Sequence, residues 1–295
     1  MMRDRSGFGI NDERVRIKPY PWVDRKRTII MGVINVTPDS FSDGGLFVTP
    51  SDIERQAKTL LQQGADILDI GGESSRPFSE PVPLDEELKR VIPAVEVVRS
   101  FSDCIISVDT TKAEVAHEAI SKGADIINDI SALRFDPDMV NVVAEAHVPV
   151  VLMHMKGTPK NMQKNPVYDD VMREVTDFLH DRILWAQSKG IARENIIIDP
   201  GIGFGKRFED NLVILNQLKK LLELKTPILV GPSRKAFLGA ITGEQDASKR
   251  DVATMGAVAA SIMNGTSIVR VHNVAMARTI ADVIDAIRNE AILSP

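Results

Sequence analysis

Short apolar runs alternate with amphipathic stretches along most of the chain, and this alternation predicts the fold. The runs are rich in β-branched residues and end in Gly, Asn, Asp or Ser, which is typical of buried strands. After each run, apolar residues recur at helical spacing, so a helix is expected between one strand and the next. The predicted strands lie near 28–36, 66–71, 104–109, 125–130, 149–154, 195–199, 227–231 and 267–272.

Eight strand–helix units after residue 28 suit a (β/α)₈ TIM barrel, which takes about 250 residues. A doubly wound open sheet is the alternative. The barrel is preferred because a polar residue follows every strand, whereas an open sheet gathers its ligand residues mainly at one switch point. No linker or low-complexity segment interrupts the series. We therefore predict one domain, 28–295, preceded by a short N-terminal extension, 1–27, without clear periodicity.

Several helix ends and three long connections are also predicted. Ser51–Glu54 and Thr111–Glu114 fit the capping box, in which a hydroxyl and a carboxylate satisfy free backbone N–H groups. Glycine after a helical pattern indicates a helix end, and this applies to Gly64, Gly123, Gly190 and Gly265. The long polar connections 37–50 and 73–84 suit a lid that closes over a substrate, and 156–167 is similarly long.

Composition and charge narrow the functional classes. The chain of 295 residues is 43% hydrophobic and 26% charged, as in ordinary globular proteins. Its apolar runs are shorter than the ~20 residues of a membrane span, and its start lacks the apolar core of a secretory signal. The single cysteine, Cys104, fits a reducing cytoplasm. A net charge of −5 argues against a nucleic-acid surface, so local Arg and Lys must meet any anionic ligand.

One group of strand-end residues suits a flat, nitrogen-rich ring. Asp109 and Asp199 follow strongly apolar stretches, where a carboxylate is costly unless it is hydrogen-bonded. A ligand with two adjacent N–H donors, such as a 2-aminopyrimidinone ring, would satisfy them. Asn128 can donate and accept, and Lys235 can donate to a ring carbonyl. An internal Asp199–Lys235 salt bridge and a Schiff-base role for Lys235 remain alternatives.

A second group offers donors to an anion. It combines amide, hydroxyl, guanidinium and imidazole groups, which suit phosphate or pyrophosphate, although ion pairs with Asp and Glu are an alternative. Its members are Asn35, Ser75, Arg76, Arg270 and His272. The segment 201–206 lacks the spacing of nucleotide-binding loops and is interpreted as a tight turn that presents Phe204 as an apolar wall.

The five histidines show no metal-ligand spacing. His117, His147 and His180 lie within or at the ends of helical patterns, and structural roles are expected for them.

These stretches, in their order along the chain, resemble the dihydropteroate synthase family. That family is a (β/α)₈ barrel that joins 6-hydroxymethyl-7,8-dihydropterin pyrophosphate to p-aminobenzoate in folate biosynthesis. The resemblance implies a transferase with Mg²⁺, a homodimer, and competition between sulfonamides and p-aminobenzoate. It rests on NVTPDSFSDGG (35–45), DIGGESSRP (69–77), SVDTTK (107–112), INDIS (127–131), VLMHMKG (151–157), DPGIGFGK (199–206), GPSRK (231–235) and RVHNV (270–274).

The resemblance also implies a role for each matching position. The pterin would be held by Asp109, Asn128, Met153, Asp199 and Lys235. The pyrophosphate would be held by Asn35, Arg76, Arg270 and His272, with Asn35 near the Mg²⁺. The p-aminobenzoate would be surrounded by Phe41, Ser75, Arg76, Pro77, Phe204 and Ala236. The chemistry would fall to Asp109, Lys235 and Arg270.

Three positions depart from the family pattern. Ser75 stands where Thr is common, Ile202 where Phe is frequent, and Ala236 where Ser is often found. We expect all three on the p-aminobenzoate side or its loops, where they affect sulfonamide sensitivity more than the reaction. A methyltetrahydrofolate-binding barrel of the corrinoid methyltransferases and a noncatalytic pterin-binding protein are the alternatives. Neither would need the Arg76 and Arg270 cluster.

Overall fold

The computed structural model describes residues 20, 22, 26–37, 49–76 and 78–292. The strands are β1 (Ile29–Asn35), β2 (Ile67–Gly71), β3 (Ile105–Asp109), β4 (Ile126–Asp129), β5 (Val150–Met153), β6 (Ile196–Asp199), β7 (Leu229–Val230) and β8 (Ile268–Val271). The helices are α1 (Pro50–Gln62), α2 (Leu84–Phe101), α3 (Ala113–Ser121), α4 (Met139–Ala146), α5 (Val171–Ser188), α6 (Phe208–Gln217), α7 (Ala236–Thr242), α8 (Asp251–Met263) and α9 (Val274–Asn289).

The eight strands form one parallel sheet in the order β6-β5-β4-β3-β2-β1-β8-β7. A parallel bridge between Ile198 and Ile228 joins the two ends of this order and closes the sheet. The predicted (β/α)₈ barrel is therefore confirmed, and the open sheet is wrong. Each predicted strand is present with its ends shifted inward by up to two residues, because strand ends lose their ladder partners first.

Successive residues of each strand point alternately into the barrel and toward the helices. On β1, Ile29 and Met31 belong to an inner apolar cluster, whereas Ile30 and Ile34 pack with the surrounding helices. The inner cluster also takes one apolar residue from each of several other strands: Ile67, Ile126, Val151, Ile197, Leu229 and Ile268. This layer fills the lower part of the barrel, so polar inward-facing residues lie above it, toward the carboxyl ends of the strands.

Part of the N-terminal extension closes the bottom of the barrel. Trp22 is 1% exposed and packs in the same inner cluster. Tyr20 stacks on its ring with centroids 4.7 Å apart. An indole has the size to plug a barrel whose lowest layer is aliphatic. These two residues thus pack against the barrel, while the boundary at residue 28 stays a prediction.

The predicted glycine helix ends are confirmed, but both predicted capping boxes are wrong. Gly64, Gly123, Gly190 and Gly265 follow helices with φ between 94° and 105°, a region that favours glycine. The cap of α1 is Thr49, whose hydroxyl accepts from the backbone of Asp52, so Ser51 lies inside the helix. At α3 the first backbone N–H is taken by the Asp136 carboxylate, 2.8 Å away, rather than by Thr111. A tertiary partner replaces the local cap.

Asp285 of α9 fastens the start of β1. Its carboxylate is 1% exposed and accepts hydrogen bonds from the backbone N–H and the hydroxyl of Thr28, at 2.6 and 2.8 Å. Arg288 donates to it at 2.9 Å. The last helix is thereby tied to the first strand across 257 positions of sequence.

We predict that Asp285→Asn lowers the free energy of unfolding by about 2–4 kcal/mol, because an amide cannot accept from the two buried Thr28 donors and Arg288 together. Chemical denaturation measures this. The control is Asp282→Asn on the same helix, where the carboxylate is 61% exposed and pairs with Arg278. Its cost should be under about 1 kcal/mol. Equal costs for the two variants would contradict the proposed role of Asp285.

Candidate active site

A cluster of charged residues occupies the barrel interior above the apolar layer. Arg270 of β8 donates through Nε to Asp69 of β2 at 2.6 Å, and through Nη2 to Asp109 of β3 at 3.0 Å. Asn128 of β4 donates to the same Asp69 oxygen at 3.3 Å. Three strands, β2, β3 and β4, thus meet β8 in one network, because their inward-facing side chains lie in adjacent layers near the carboxyl ends of the strands.

Asp69 is a site residue that the sequence reasoning missed. It is fully buried, and its Oδ1 has no hydrogen-bond partner among the described residues. It lies mid-strand, between Leu68 and Ile70, rather than at a strand end. The sequence could have revealed it, because residues two apart on a strand face the same side. Asp69 therefore faces the barrel interior, as Ile67 does. Asp69 orients both Arg270 and Asn128, so it supports the network from below.

Burial and neighbouring charges alter the protonation of this network. Burial raises the pKa of Asp109 to about 7, against the opposing effect of Arg270, while Asp69 raises it further. Burial would lower the pKa of Arg270, but Asp69 and Asp109 raise it. Burial lowers the pKa of Lys235 to about 8, and Arg270 acts in the same direction. Asp109 and Lys235 are therefore both able to exchange a proton near neutral pH.

Asp199 ends β6 beside an apolar wall. Its Oδ1 accepts from the backbone N–H of Gly201 at 2.7 Å, which fixes the carboxylate orientation. Burial raises its pKa to about 6, which the Gly201 bond opposes. The apolar wall consists of Ile130, Met153, Met155, Met162 and Phe204. A carboxylate above such a wall suits a flat ring with N–H groups along one edge.

Lys235 does not form the alternative salt bridge with Asp199 among the described residues. Its ammonium lies over the Phe204 ring, 4.1 Å from the centroid, as a cation–π contact. Phe204 is thus placed as a wall, as predicted, and Lys235 stays available to a ligand.

The turn 201–206 is tight, as predicted, and it has an unforeseen buried lysine. Gly201, Gly203 and Gly205 have positive φ, and a Cβ on Gly201 would lie 1.9 Å from the His154 carbonyl oxygen. Lys206 is 2% exposed and donates to the carbonyls of Gly201 and Phe204 at 2.8 and 3.0 Å. It holds the turn that places Phe204.

His272 follows β8 and contacts Ser233, which follows β7. The Ser233 Oγ lies 2.8 Å from His272 Nδ1 and accepts from the His272 backbone N–H at 3.2 Å. Burial lowers the pKa of His272 to about 3, and Arg270 acts in the same direction. The imidazole is therefore neutral. A neutral ring can donate from one nitrogen and accept at the other, which is compatible with the donor role predicted from the sequence.

Other predicted residues surround this centre less closely. Asn35 ends β1 half-buried, whereas Arg76 and Ala236 are exposed. Ser75 lines a cavity of about 330 Å³ together with Asp109, Lys112 and Thr158. Phe41 and Pro77 lie outside the described residues. The structure therefore links Asp109 to Arg270 directly and Asn128 to Arg270 through Asp69, and leaves Arg76 and Ala236 exposed.

Ile202 lies in the loop after β6, as expected, but its side chain is buried. Ile202 is 1% exposed and packs in the core between the barrel and its helices. It therefore does not face the pocket, and its difference from Phe is a packing change. Ser75 and Ala236 are the two departures that remain near the site.

The three histidines expected to be structural fit helical positions. His147 ends α4 with a left-handed backbone, His117 lies in α3, and His180 lies in α5. Within the described ranges, no cluster of three or more His, Cys, Asp or Glu side chains is arranged to hold a metal. Among the same residues, no helix combines the length and apolarity needed to cross a membrane.

The fold is a (β/α)₈ barrel with a charged cluster toward the carboxyl ends of its strands, where enzymes of this fold have their active sites. Comparison with known proteins specifies the class. The family model of the pterin binding enzymes matches residues 31–272. The dihydropteroate synthase of Synechocystis sp. is 46% identical over 262 residues, which cover 89% of this chain and 91% of that protein.

Solved structures agree with this relationship. The dihydropteroate synthase from Xanthomonas albilineans, in complex with 7,8-dihydropteroate, superposes with a TM-score of 0.82 at 42% identity, covering 90% of this chain and 95% of that one. The Yersinia pestis enzyme in a sulfonamide drug complex superposes with a TM-score of 0.86 at 39% identity, covering 90% and 96%. The chain belongs to the pterin-binding enzymes and, within them, to the dihydropteroate synthases, transferases of folate synthesis.

We predict that Asp109→Asn changes the pH dependence of stability. Because the folded-state pKa of Asp109 is raised from 3.8 to about 7, the folded protein binds this proton more tightly than the unfolded chain. This contribution stabilises the fold at acidic pH and is lost as pH rises toward 7, by at most about 1.4 kcal/mol per pH unit.

The amide does not titrate, so the stability of the variant relative to the parent should increase between pH 4 and 7. Denaturation at several pH values tests this. A constant difference would show that Asp109 is already ionised in the free protein.

Proposed function

We propose that this chain condenses 6-hydroxymethyl-7,8-dihydropterin pyrophosphate with p-aminobenzoate, giving 7,8-dihydropteroate and pyrophosphate. The observation that carries the proposal is one network in which Asp69 accepts from Arg270 and Asn128, and Arg270 also donates to Asp109. Asp199 lies at the end of β6, and Lys235 follows β7. The carboxylates and the amide can bind the N–H groups of a pterin ring, and the cations can bind its pyrophosphate. Both kinds of group lie together at the ends of the barrel strands.

The pterin is proposed to lie against the apolar wall, with Met153 beneath it. Asp199 would accept from the 2-amino group and the adjacent ring N–H, while Lys235 donates to the ring carbonyl. Asn128 and Asp109 would complete the edge. The Gly201 N–H supports this placement, because it fixes which face of the Asp199 carboxylate stays free for a ligand.

In the proposed reaction, the aniline nitrogen attacks the pterin methylene while its C–O bond breaks and pyrophosphate leaves. Negative charge grows on the leaving group, which Arg270, Arg76 and the neutral imidazole of His272 would stabilise by donating hydrogen bonds. Positive charge grows on the dihydropterin, which ionised Asp109 would stabilise. The attacking nitrogen then loses a proton, and no covalent bond to the protein is needed.

Mg²⁺ is proposed to bind through the Asn35 side-chain oxygen. A single protein ligand fits the chemistry, because Mg²⁺ usually retains waters and takes most other ligands from substrate phosphates. The half-buried amide at the end of β1 is consistent with this, as is the absence of a complete metal cluster among the described residues. When bound, the ion would neutralise charge on the pyrophosphate.

p-Aminobenzoate is proposed to bind on the rim, between Phe204, Ser75 and the start of α7. Phe41 and Pro77 are also proposed to contact p-aminobenzoate, on the basis of the sequence resemblance alone. The exposed Ala236 is the first residue of α7, and no side chain caps that end among the described residues. Free backbone N–H groups there would meet the carboxylate. Sulfonamides are proposed to compete at the same position.

A homodimer is also proposed, through the face formed by α6, α7 and α8. Exposed apolar residues occur on all three helices: Phe208, Leu212, Ile241, Val252 and Met263. Several exposed apolar residues on neighbouring helices favour burial against a second copy.

A reducing cytoplasm is proposed from the single cysteine, which is partly buried and free.

Pyrophosphate release tests the activity. With the pterin pyrophosphate, Mg²⁺ and p-aminobenzoate, release should be rapid and accompanied by equimolar dihydropteroate. Without p-aminobenzoate, release should fall to the rate of slow hydrolysis. Pterin binding with no release under either condition would instead indicate a noncatalytic pterin-binding protein.

We predict that Asp199→Asn abolishes measurable pterin binding while the fold survives. Because Gly201 N–H holds the oxygen on one side, the new NH₂ group must face the ligand N–H donors. Opposing donors in a buried site cost about 1–3 kcal/mol or more. Calorimetry decides this, with thermal denaturation as the check on folding. Parental affinity in a folded variant would overturn the assignment of Asp199.

We predict that Ala236→Ser lowers the Michaelis constant for p-aminobenzoate and leaves that for the pterin substrate unchanged. The serine adds one hydroxyl donor at the helix start, worth about 1.5 kcal/mol or less if it displaces a bound water. Steady-state kinetics on both substrates measure the effect. If the pterin constant moves instead, the carboxylate binds elsewhere.

A further inference from the structure

Ser233 and His272 form a contact between the ends of two adjacent strands. Ser233 follows β7 and is 9% exposed. Its Oγ accepts from the backbone N–H of His272 at 3.2 Å and lies 2.8 Å from the Nδ1 of the same residue. One hydroxyl therefore holds both the backbone and the ring of His272.

Asp251 of α8 holds both sides of this contact in place. Its carboxylate pairs with Arg234 through two bonds, at 2.7 and 3.0 Å, and accepts from the Asn273 side chain at 3.0 Å. Arg234 directly follows Ser233, and Asn273 directly follows His272. Arg234 has a left-handed φ of 61°, which is uncommon for a non-glycine residue. The Ser233–His272 distance is thus set by the framework.

The hydrogen bonds of Ser233 determine which ring nitrogen is protonated. A hydroxyl has one proton to donate, and no third polar partner of this Oγ is present among the described residues. If Nδ1 were protonated, Oγ would accept twice and its own buried proton would have no acceptor. Donation from Oγ to Nδ1 satisfies every group and leaves the proton of the neutral ring on Nε2.

We propose that Ser233 is a positioning residue that holds His272 as the neutral Nε2–H tautomer, which donates one hydrogen bond to the departing pyrophosphate. This inference rests on the proposed function for its second half only. The surroundings agree with a neutral ring, since burial and the cations Arg270, Arg234 and Lys235 all lower the pKa of His272, against the weaker effect of Asp251. With Nε2 already protonated, His272 can donate to the pyrophosphate without first taking up a proton.

Nitrogen NMR on the full chain labelled with ¹⁵N-histidine tests the tautomer. The chain has five histidines, and His272→Gln identifies the resonances of this one. We expect a pyridine-like Nδ1 and a pyrrole-like Nε2 for His272. In Ser233→Ala the ¹⁵N chemical shifts of the two ring nitrogens should move toward each other, because the two tautomers exchange. Ser233→Thr keeps the hydroxyl and should retain the parental chemical shifts.

Kinetics test the positioning role. Ser233→Ala should lower kcat about tenfold and leave KM for p-aminobenzoate unchanged, and Ser233→Thr should restore most of the rate. Ser261→Ala is the matched control, because its buried hydroxyl donates only to the Ala257 carbonyl within α8. That variant should leave both the spectrum of His272 and kcat as they are.

Three results would overturn the proposal: a pyrrole-like Nδ1 in the parent protein, an unchanged His272 spectrum in Ser233→Ala, or a changed spectrum with an unchanged kcat. If Ser233→Ala does not fold, the spectrum of the parent protein still tests the tautomer, and the kcat and spectrum of Ser233→Thr test the positioning role. An inactive parent protein with the expected tautomer would contradict the proposed reaction and leave the assignment of the proton intact.

Discussion

The ion pairs of Arg270 with Asp69 and Asp109, inside the barrel, are the interaction on which the site depends. Removing such charges from water costs several kcal/mol per ion, so they persist only when they are closely paired. Burial raises the pKa of Asp109 to about 7, and the second carboxylate, Asp69, which shares the Arg270 guanidinium, raises it further. Asp69 is held by two donors, while the carboxylate of Asp109 can change its protonation near neutral pH.

The closed barrel makes this pairing possible. Asp69 and Arg270 are 201 positions apart, yet they meet because the inward-facing residues of a parallel barrel lie in common layers. The aliphatic layer below, closed by Trp22, keeps water from the lower face of the cluster. The alternation of side chains along each strand places apolar residues in the core and polar residues in the layer above it. The stability of the fold and the geometry of the site therefore depend on the same strand pattern.

Burial and hydrogen bonding decrease from this centre outward. Asp199, Asn128 and Arg270 are held by strands and by fixed hydrogen bonds, and Ser233 fastens His272 from the neighbouring strand end. Arg76 and Ala236 are exposed on the rim. Groups held in fixed positions can orient a ligand without further reorganisation.

The sequence alone determined the eight strands, the barrel and the strand-end residues Asp109, Asn128 and Asp199. These features are local, since β-branched runs and polar strand ends depend only on neighbouring positions. The tertiary structure decided the roles of Asp69, Ser233 and Lys206, the cap of α3 by Asp136, and the burial of Ile202. Each of these depends on a partner distant in sequence or on the packing of a turn. A polar residue within an apolar strand does not reveal its partner until barrel closure places another strand opposite it.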